Sequence, residues 1–159
     1  MNDTIKVVLE EGAKMPTKAH PEDAGWDIYA REDFTVYSKE ANSIYIIDLN
    51  NKVIETTGGS ATHDTGVHIE IPKGYVGFIK SKSGLNVRCG LTCEGVIDSG
   101  YTGSIVVKLY NSSREDHFFQ KGDKIAQLVI LPIDTRELEL ADSITGSERG
   151  DKGFGSSGR

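Results

Sequence analysis

Val67-His68-Ile69-Glu70-Ile71-Pro72-Lys73-Gly74-Tyr75-Val76-Gly77-Phe78-Ile79 holds two strand signatures joined by a turn. Val67, Ile69 and Ile71 alternate with His68 and Glu70, the period of two that places apolar side chains on one face of a pleated strand. Pro72-Lys73-Gly74 breaks the run, and the segment is expected to fold back on itself as a hairpin. His68, at a polar position of the alternation, is expected to point outward into solvent. Further out, Ile5-Lys6-Val7-Val8-Leu9, Trp26-Asp27-Ile28-Tyr29-Ala30, Phe34-Thr35-Val36-Tyr37 and Ser43-Ile44-Tyr45-Ile46-Ile47 read as strands rich in branched and aromatic residues. The strongest two are Ser104-Ile105-Val106-Val107-Lys108-Leu109-Tyr110 and Lys124-Ile125-Ala126-Gln127-Leu128-Val129-Ile130-Leu131. The latter is apolar on both faces and needs cover on both, from a second sheet or another subunit. A turn or two of helix is expected from Ser83 to Cys89. Residues 50–63 are small and polar and are expected to form a hairpin or loop excursion outside the core. Many short strands with turn signals between them predict an all-β sandwich or jelly roll.

The chain has 159 residues, the size of one domain, and its hydrophobic fraction of 37% is that of a globular protein. Its opening residues contain no long apolar run, so neither a signal peptide nor a membrane span is expected. A net charge of −6 argues against general nucleic-acid binding. An anionic ligand would need cations gathered locally, and Lys80, Lys82 and Arg88 form one such group, Arg149, Lys152 and Arg159 another. Cys89 and Cys93 lack the further ligands of a structural zinc site. They read as reduced thiols of a cytoplasmic compartment, with a disulfide the less favoured alternative.

Gly95-Val96-Ile97-Asp98-Ser99-Gly100-Tyr101-Thr102-Gly103 is the candidate site. Val96 and Ile97 can anchor a strand, which delivers the Asp98 carboxylate into a glycine-rich turn with the Tyr101 ring close behind. A fixed carboxylate beside an exposed ring suits a site that holds a flat ligand and deprotonates a water next to it. The plainer alternative is an Asx-type turn with a surface Asp. Residues 148–159 hold one apolar side chain and four glycines, too little to order themselves. They form either a loose tail or a flexible clamp. In the clamp, Phe154 stacks on a base while Arg149, Ser156, Ser157 and backbone N–H groups bond phosphate.

Five motifs in order resemble those of the homotrimeric all-β dUTP pyrophosphatases, the dUTPases. They are Ala24-Gly25-Trp26-Asp27-Ile28-Tyr29-Ala30; Lys82-Ser83-Gly84-Leu85; the stretch 95–103; Gly122-Asp123-Lys124-Ile125-Ala126-Gln127-Leu128; and Arg149-Gly150-Asp151-Lys152-Gly153-Phe154-Gly155-Ser156-Ser157-Gly158. The resemblance implies a distorted jelly-roll subunit (1–147) with a nucleotide-capping arm (148–159), assembled as a homotrimer whose active sites are shared. It implies hydrolysis of dUTP to dUMP and pyrophosphate by water attack at the α-phosphorus, with Mg2+ on the triphosphate. Asp98 would be the base, and Tyr101 would lie against the deoxyribose and exclude a 2′-hydroxyl. A short hairpin over 92–97, including Thr92, Gly95, Val96 and Ile97, would read uracil through its main chain. Lys82, Ser83, Gly84 and Gln127 would contact the phosphates, and Asp27 would hold metal-bound water. Phe154 and Gly155 would close over the nucleotide, with Arg149, Ser156 and Ser157 on the phosphates. Neither membrane nor nucleic acid is implied as a partner.

Three departures stand out. Lys82 replaces an Arg and loses the two-pronged fork. Thr92 stands where many relatives have an Asn. The excursion 50–62 lengthens the chain as phage-encoded relatives sometimes do, and would be a surface hairpin or a protein-partner appendage. The rival readings are a dCTP deaminase of the same fold, which lacks the Arg-Gly…Gly-Phe-Gly-Ser arm, and a dUTP-sensing regulatory protein. Trp26 is expected to be a packing or interface ring rather than a ligand contact.

Overall fold

Alternating burial turns nearly every apolar–polar run into a strand. The computed structural model describes residues 4–40, 44–47, 53–56, 59–146 and 150. In chain order the strands are β1 (Val7–Leu9), β2 (Gly25–Tyr29), β3 (Phe34–Val36), β4 (Ile44–Ile47), β5 (Val53–Thr56), β6 (Ser60–Asp64), β7 (Val67–Ile69), β8 (Tyr75–Lys80), β9 (Leu91–Thr92), β10 (Glu94–Asp98), β11 (Val106–Asn111), β12 (His117–Phe119) and β13 (Lys124–Pro132), with one helix, α1 (Ser83–Cys89), between β8 and β9. Every pairing among the described strands is antiparallel. A four-stranded sheet runs β10-β8-β13-β2 and a three-stranded sheet β6-β11-β9, with β1-β7, β12-β3 and β4-β5 as two-stranded pieces. The core is filled from both larger sheets, by Ile28, Ile79, Ile97 and Leu128 on one side and Ala61, Leu91, Val107 and Leu109 on the other, closed by Val36, Phe119 and Val67. This is a jelly-roll-like arrangement, as the strand spacing predicts. A register shift between Lys124 and Ala126 turns both Ile125 and Ala126 inward, two consecutive buried residues that a regular strand would not allow.

Two expectations change. The segment 67–79 is not a hairpin: β7 pairs with β1, and both edges of β8 are taken, by β10 and β13. Pro72 supplies no ladder donor, and the Pro72–Tyr75 turn (Tyr75 N–H to Pro72 C=O, 3.1 Å) sends the chain into the other sheet. The excursion also lies earlier in the chain than 50–62. Ser60 and Ala61 are buried and β6 belongs to the core sheet, so β4 and β5 form the appendage. The segments 48–52 and 57–58 lie outside the described residues.

Candidate active site

Asp98 is the last residue of β10, opposite Val76, and the turn after it closes through a hydrogen bond from Tyr101 N–H to the Asp98 carbonyl at 3.1 Å. Gly100 takes φ 93°, a left-handed conformation that explains the glycine there. Ile97 is buried and anchors the strand, while Asp98 is exposed and its carboxylate has no hydrogen-bond or ion-pair partner among the described residues. The Tyr101 ring folds over Gly103, where a methyl group would run into it, and its hydroxyl donates to the Ser104 carbonyl at 3.0 Å. Tyr101 remains 46% exposed, a fixed plate with one open face, and lines a depression of about 780 Å³ together with Ser99, Gly100 and Ile5.

Asp27 lies elsewhere. It is buried in β2, and its two oxygens accept Lys82 Nζ and, at 2.6 Å, Lys124 Nζ. Burial pushes the Asp27 carboxyl up, but the bonds from Lys124 and Lys82 outweigh it and hold it below its ordinary value. Gln127 pairs in register with Asp27 on one side and Lys80 on the other, and its amide donates to the Ser81 carbonyl at 2.9 Å. Lys82 stands at the N-cap position of α1 without a side-chain cap bond, and Ser83 and Gly84 are exposed in the first turn. The expected cation group is partly neutralised, since Lys80 is bonded to Glu94 at 2.8 Å and Lys82 to Asp27.

The sheet register relates these two clusters. Asp27, Gln127, Lys80 and Glu94 form one row across the four strands, and Asp98 stands four residues along β10 from Glu94. At about 3.4 Å per residue and about 4.8 Å between strands, Asp98 is roughly 17 Å from Gln127 on the same face. Between them lies an apolar row of Val96, Phe78 and Val129, with Val96 62% exposed. The two clusters of candidate residues therefore stand at opposite corners of one sheet face.

The segment 92–97 is not a hairpin either. Thr92 pairs with Tyr110 of β11 and Glu94 with Lys80 of β8, so the chain changes sheets at the buried Cys93. The Ser81 hydroxyl clamps this crossing, accepting from Cys93 N–H at 2.9 Å and donating to its carbonyl at 3.2 Å. β10 is nonetheless an edge strand, and the main-chain groups of every second residue along 94–98 face its open side. Trp26 is half-buried, with Lys18 Nζ 4.3 Å from its ring centroid. His68 is not a free surface side chain, being bonded at both ring nitrogens. Arg149, Phe154, Gly155, Ser156 and Ser157 lie outside the described residues. Sequence reasoning overlooked Lys124 and Ser81 as parts of the site. Lys124 was visible only as a motif letter, and nothing local marks the bond it makes to Asp27.

A family model described as dUTPase matches residues 46–158. The chain belongs to the dUTPase family. A deoxyuridine 5′-triphosphate nucleotidohydrolase of Anaplasma marginale is 39% identical over 157 residues, 97% of this chain and 95% of that protein. The corresponding protein of Saccharomyces cerevisiae is 36% identical over 97% of this chain and 94% of its own. Among solved structures, a mutant dUTPase of Staphylococcus bacteriophage 80alpha with dUpNHpp superposes with a TM-score of 0.78 at 32% identity, covering 99% of each chain. The dUTPase of phage phi11 of S. aureus, solved as a mutant described as coordinating a structural Mg(II) ion, gives 0.72 at 28% identity over 89% of this chain and 98% of that one. Among the described residues no helix is long and apolar enough to cross a membrane.

Proposed function

We propose that this dUTPase hydrolyses dUTP to dUMP and pyrophosphate in sites shared between the subunits of a homotrimer. The observation that carries the reading is the separation of the half-sites. A general base works at hydrogen-bond reach, about 2.6–3.2 Å, and Asp98 cannot serve a phosphate held by Gln127 and Lys82 of its own chain. It can serve one held by a neighbour. Residues 133–146 support the same assembly: Leu138, Leu140 and Ile144 are 101%, 100% and 95% exposed, apolar surface that a second copy would cover. Family membership and the relatives' shared name supply the substrate.

Asp98, unpartnered among the described residues, accepts a proton from water as the oxygen attacks the α-phosphorus and pyrophosphate departs. Such a base contributes typically 10²–10⁴-fold, and the remainder falls to positioning and charge. Tyr101 presents its ring to the deoxyribose, and the open edge of β10 meets the uracil. Ser83, Gly84, Lys82 and Gln127 hold phosphate oxygens, and residues 149–157 close over the nucleotide. Magnesium, carried on the triphosphate, would offset its charge. Asp27 would accept bonds from its water, since one carboxylate suits an ion that keeps most of its own waters. The two free thiols fit a cytoplasmic compartment. The β4–β5 appendage, whose two strands pair with each other and belong to neither larger sheet, is the natural place for a protein partner.

The test is complementation. Asp98→Asn and the double variant Lys82→Ala, Gln127→Ala are each inactive alone, and co-refolded one to one they recover about a quarter of wild-type turnover, the share of sites taking an intact half from each chain. No recovery above the separate variants would mean that each chain holds its own site. Pyrophosphate release measured on dUTP, UTP, dTTP and dCTP fixes the substrate, and conversion of dCTP would favour the deaminase.

A further inference from the structure

The turn that carries Asp98 and Tyr101 projects beyond the sheet. Among the described residues, its tip (99–103) receives one hydrogen bond from outside the turn and the residues just after it: the ring of His68, 34 residues earlier, meets the Thr102 carbonyl through Nδ1 at 2.8 Å. The other ring nitrogen, Nε2, meets Glu10 Oε1 at 3.0 Å. Both partners are acceptors. A neutral imidazole has one N–H and one lone pair, so only the doubly protonated ring satisfies both contacts. Glu10 is itself braced, its second oxygen accepting Arg31 Nη1 at 2.6 Å while Arg31 Nε donates to the Glu11 carbonyl at 2.9 Å. Thr102, His68, Glu10 and Arg31 thus form a continuous strap from the turn to the end of β2.

We propose that His68, as an imidazolium, is a positioning residue for sugar recognition: it holds the Tyr101 turn in place, so that discrimination at the 2′ position weakens as His68 loses its proton. This rests on the reading that Tyr101 faces the deoxyribose. The charged groups around His68 are Glu10 beyond β1, Asp64 at the end of β6 and Arg31 beyond β2. The Thr102 carbonyl first, then Glu10, raises its pKa above the ordinary 6.5. The strap is therefore made on the acid side and released as pH rises through a pKa that lies above the ordinary one. Deprotonation leaves a lone pair facing either the carbonyl or the carboxylate, and one end lets go in both tautomers.

The assembled protein is assayed with dUTP and UTP from pH 6 to pH 10, and the His68 and Tyr101 ring resonances are followed over the same range. The ratio of kcat/KM for dUTP over UTP falls about three- to tenfold on the alkaline side, the loss of one hydrogen bond, mainly through KM for dUTP. In His68→Gln the ratio is flat and sits at the wild-type alkaline level. The Tyr101 resonances shift with the His68 midpoint. Tyr101 signals indifferent to His68 ionisation would overturn the strap even if turnover is brisk, as would an unchanged pH dependence in His68→Gln. If dUTP is not hydrolysed at all, the functional reading fails by itself, and the coupled resonances of the wild-type protein still decide whether the strap exists.

Discussion

Replacing Asp27 with asparagine removes one carboxylate from between two ammonium groups. Oδ1 accepts Lys82 and Oδ2 accepts Lys124, and the Asp27 side chain is 10% exposed against 27% for Lys82 and 45% for Lys124. The Lys124 contact sits in water and is left out of the sum. A charge-assisted bond between mostly buried partners contributes about 1.5–3 kcal/mol, so Asp27→Asn should lower stability by about that amount at neutral pH, from the Lys82 pair alone. Asparagine keeps the volume, so the loss reports charge rather than packing. The carboxyl is held below its ordinary value of 3.8, so the unfolded chain binds more protons than the folded one in mild acid. The stabilisation is present above the unfolded value and is lost as pH falls through the folded one. Urea unfolding of both proteins at one fixed protein concentration, at pH 7 and then stepwise down to pH 2, measures the gap. A gap below about 0.5 kcal/mol at pH 7, within the usual scatter of surface substitutions, would refute the pair's contribution. A gap undiminished at pH 2 would refute its electrostatic origin.

Asp98→Asn should retain dUTP affinity and lose about 10²–10⁴-fold in kcat, read by pyrophosphate release beside calorimetric binding; wild-type turnover would remove Asp98 from the role of base. Gly103→Ala should displace the Tyr101 ring that lies over that position and lower selectivity for dUTP over UTP, with little change in pyrophosphate affinity. Deleting 41–57 with a short glycine link should leave hydrolysis intact, because a Cβ on Gly59 would stand 3.4 Å from the Lys39 Cα and the two ends already meet. Loss of folding would show the appendage to be structural. His63, buried with Nε2 accepting Arg31 N–H at 2.8 Å, has its pKa lowered by burial. Its contribution is full above the ordinary 6.5 and falls as acid protonates the unfolded chain first. His63→Gln should therefore flatten the stability profile between pH 7 and pH 5 in urea titrations.

Strand identity was legible because it is local. Val67, Ile69 and Ile71 alternate whatever they pair with, and the Asp98 turn announces itself through Gly100 and Gly103. The five motifs, read in order, named the family. Pairing was not legible, because burial on one face tells a strand which side is inside and nothing about its neighbour. That is how β7 and β8, adjacent in the chain, came to lie in different sheets. Contacts between distant positions were equally hidden: Asp27 with Lys82, 55 residues apart, and His68 with Glu10, 58 apart, exist only because the sheets bring their strands together. The list of site residues is thus a property of the sequence. Their division between two corners of one sheet face is a property of strand register, set by the packing of the whole core.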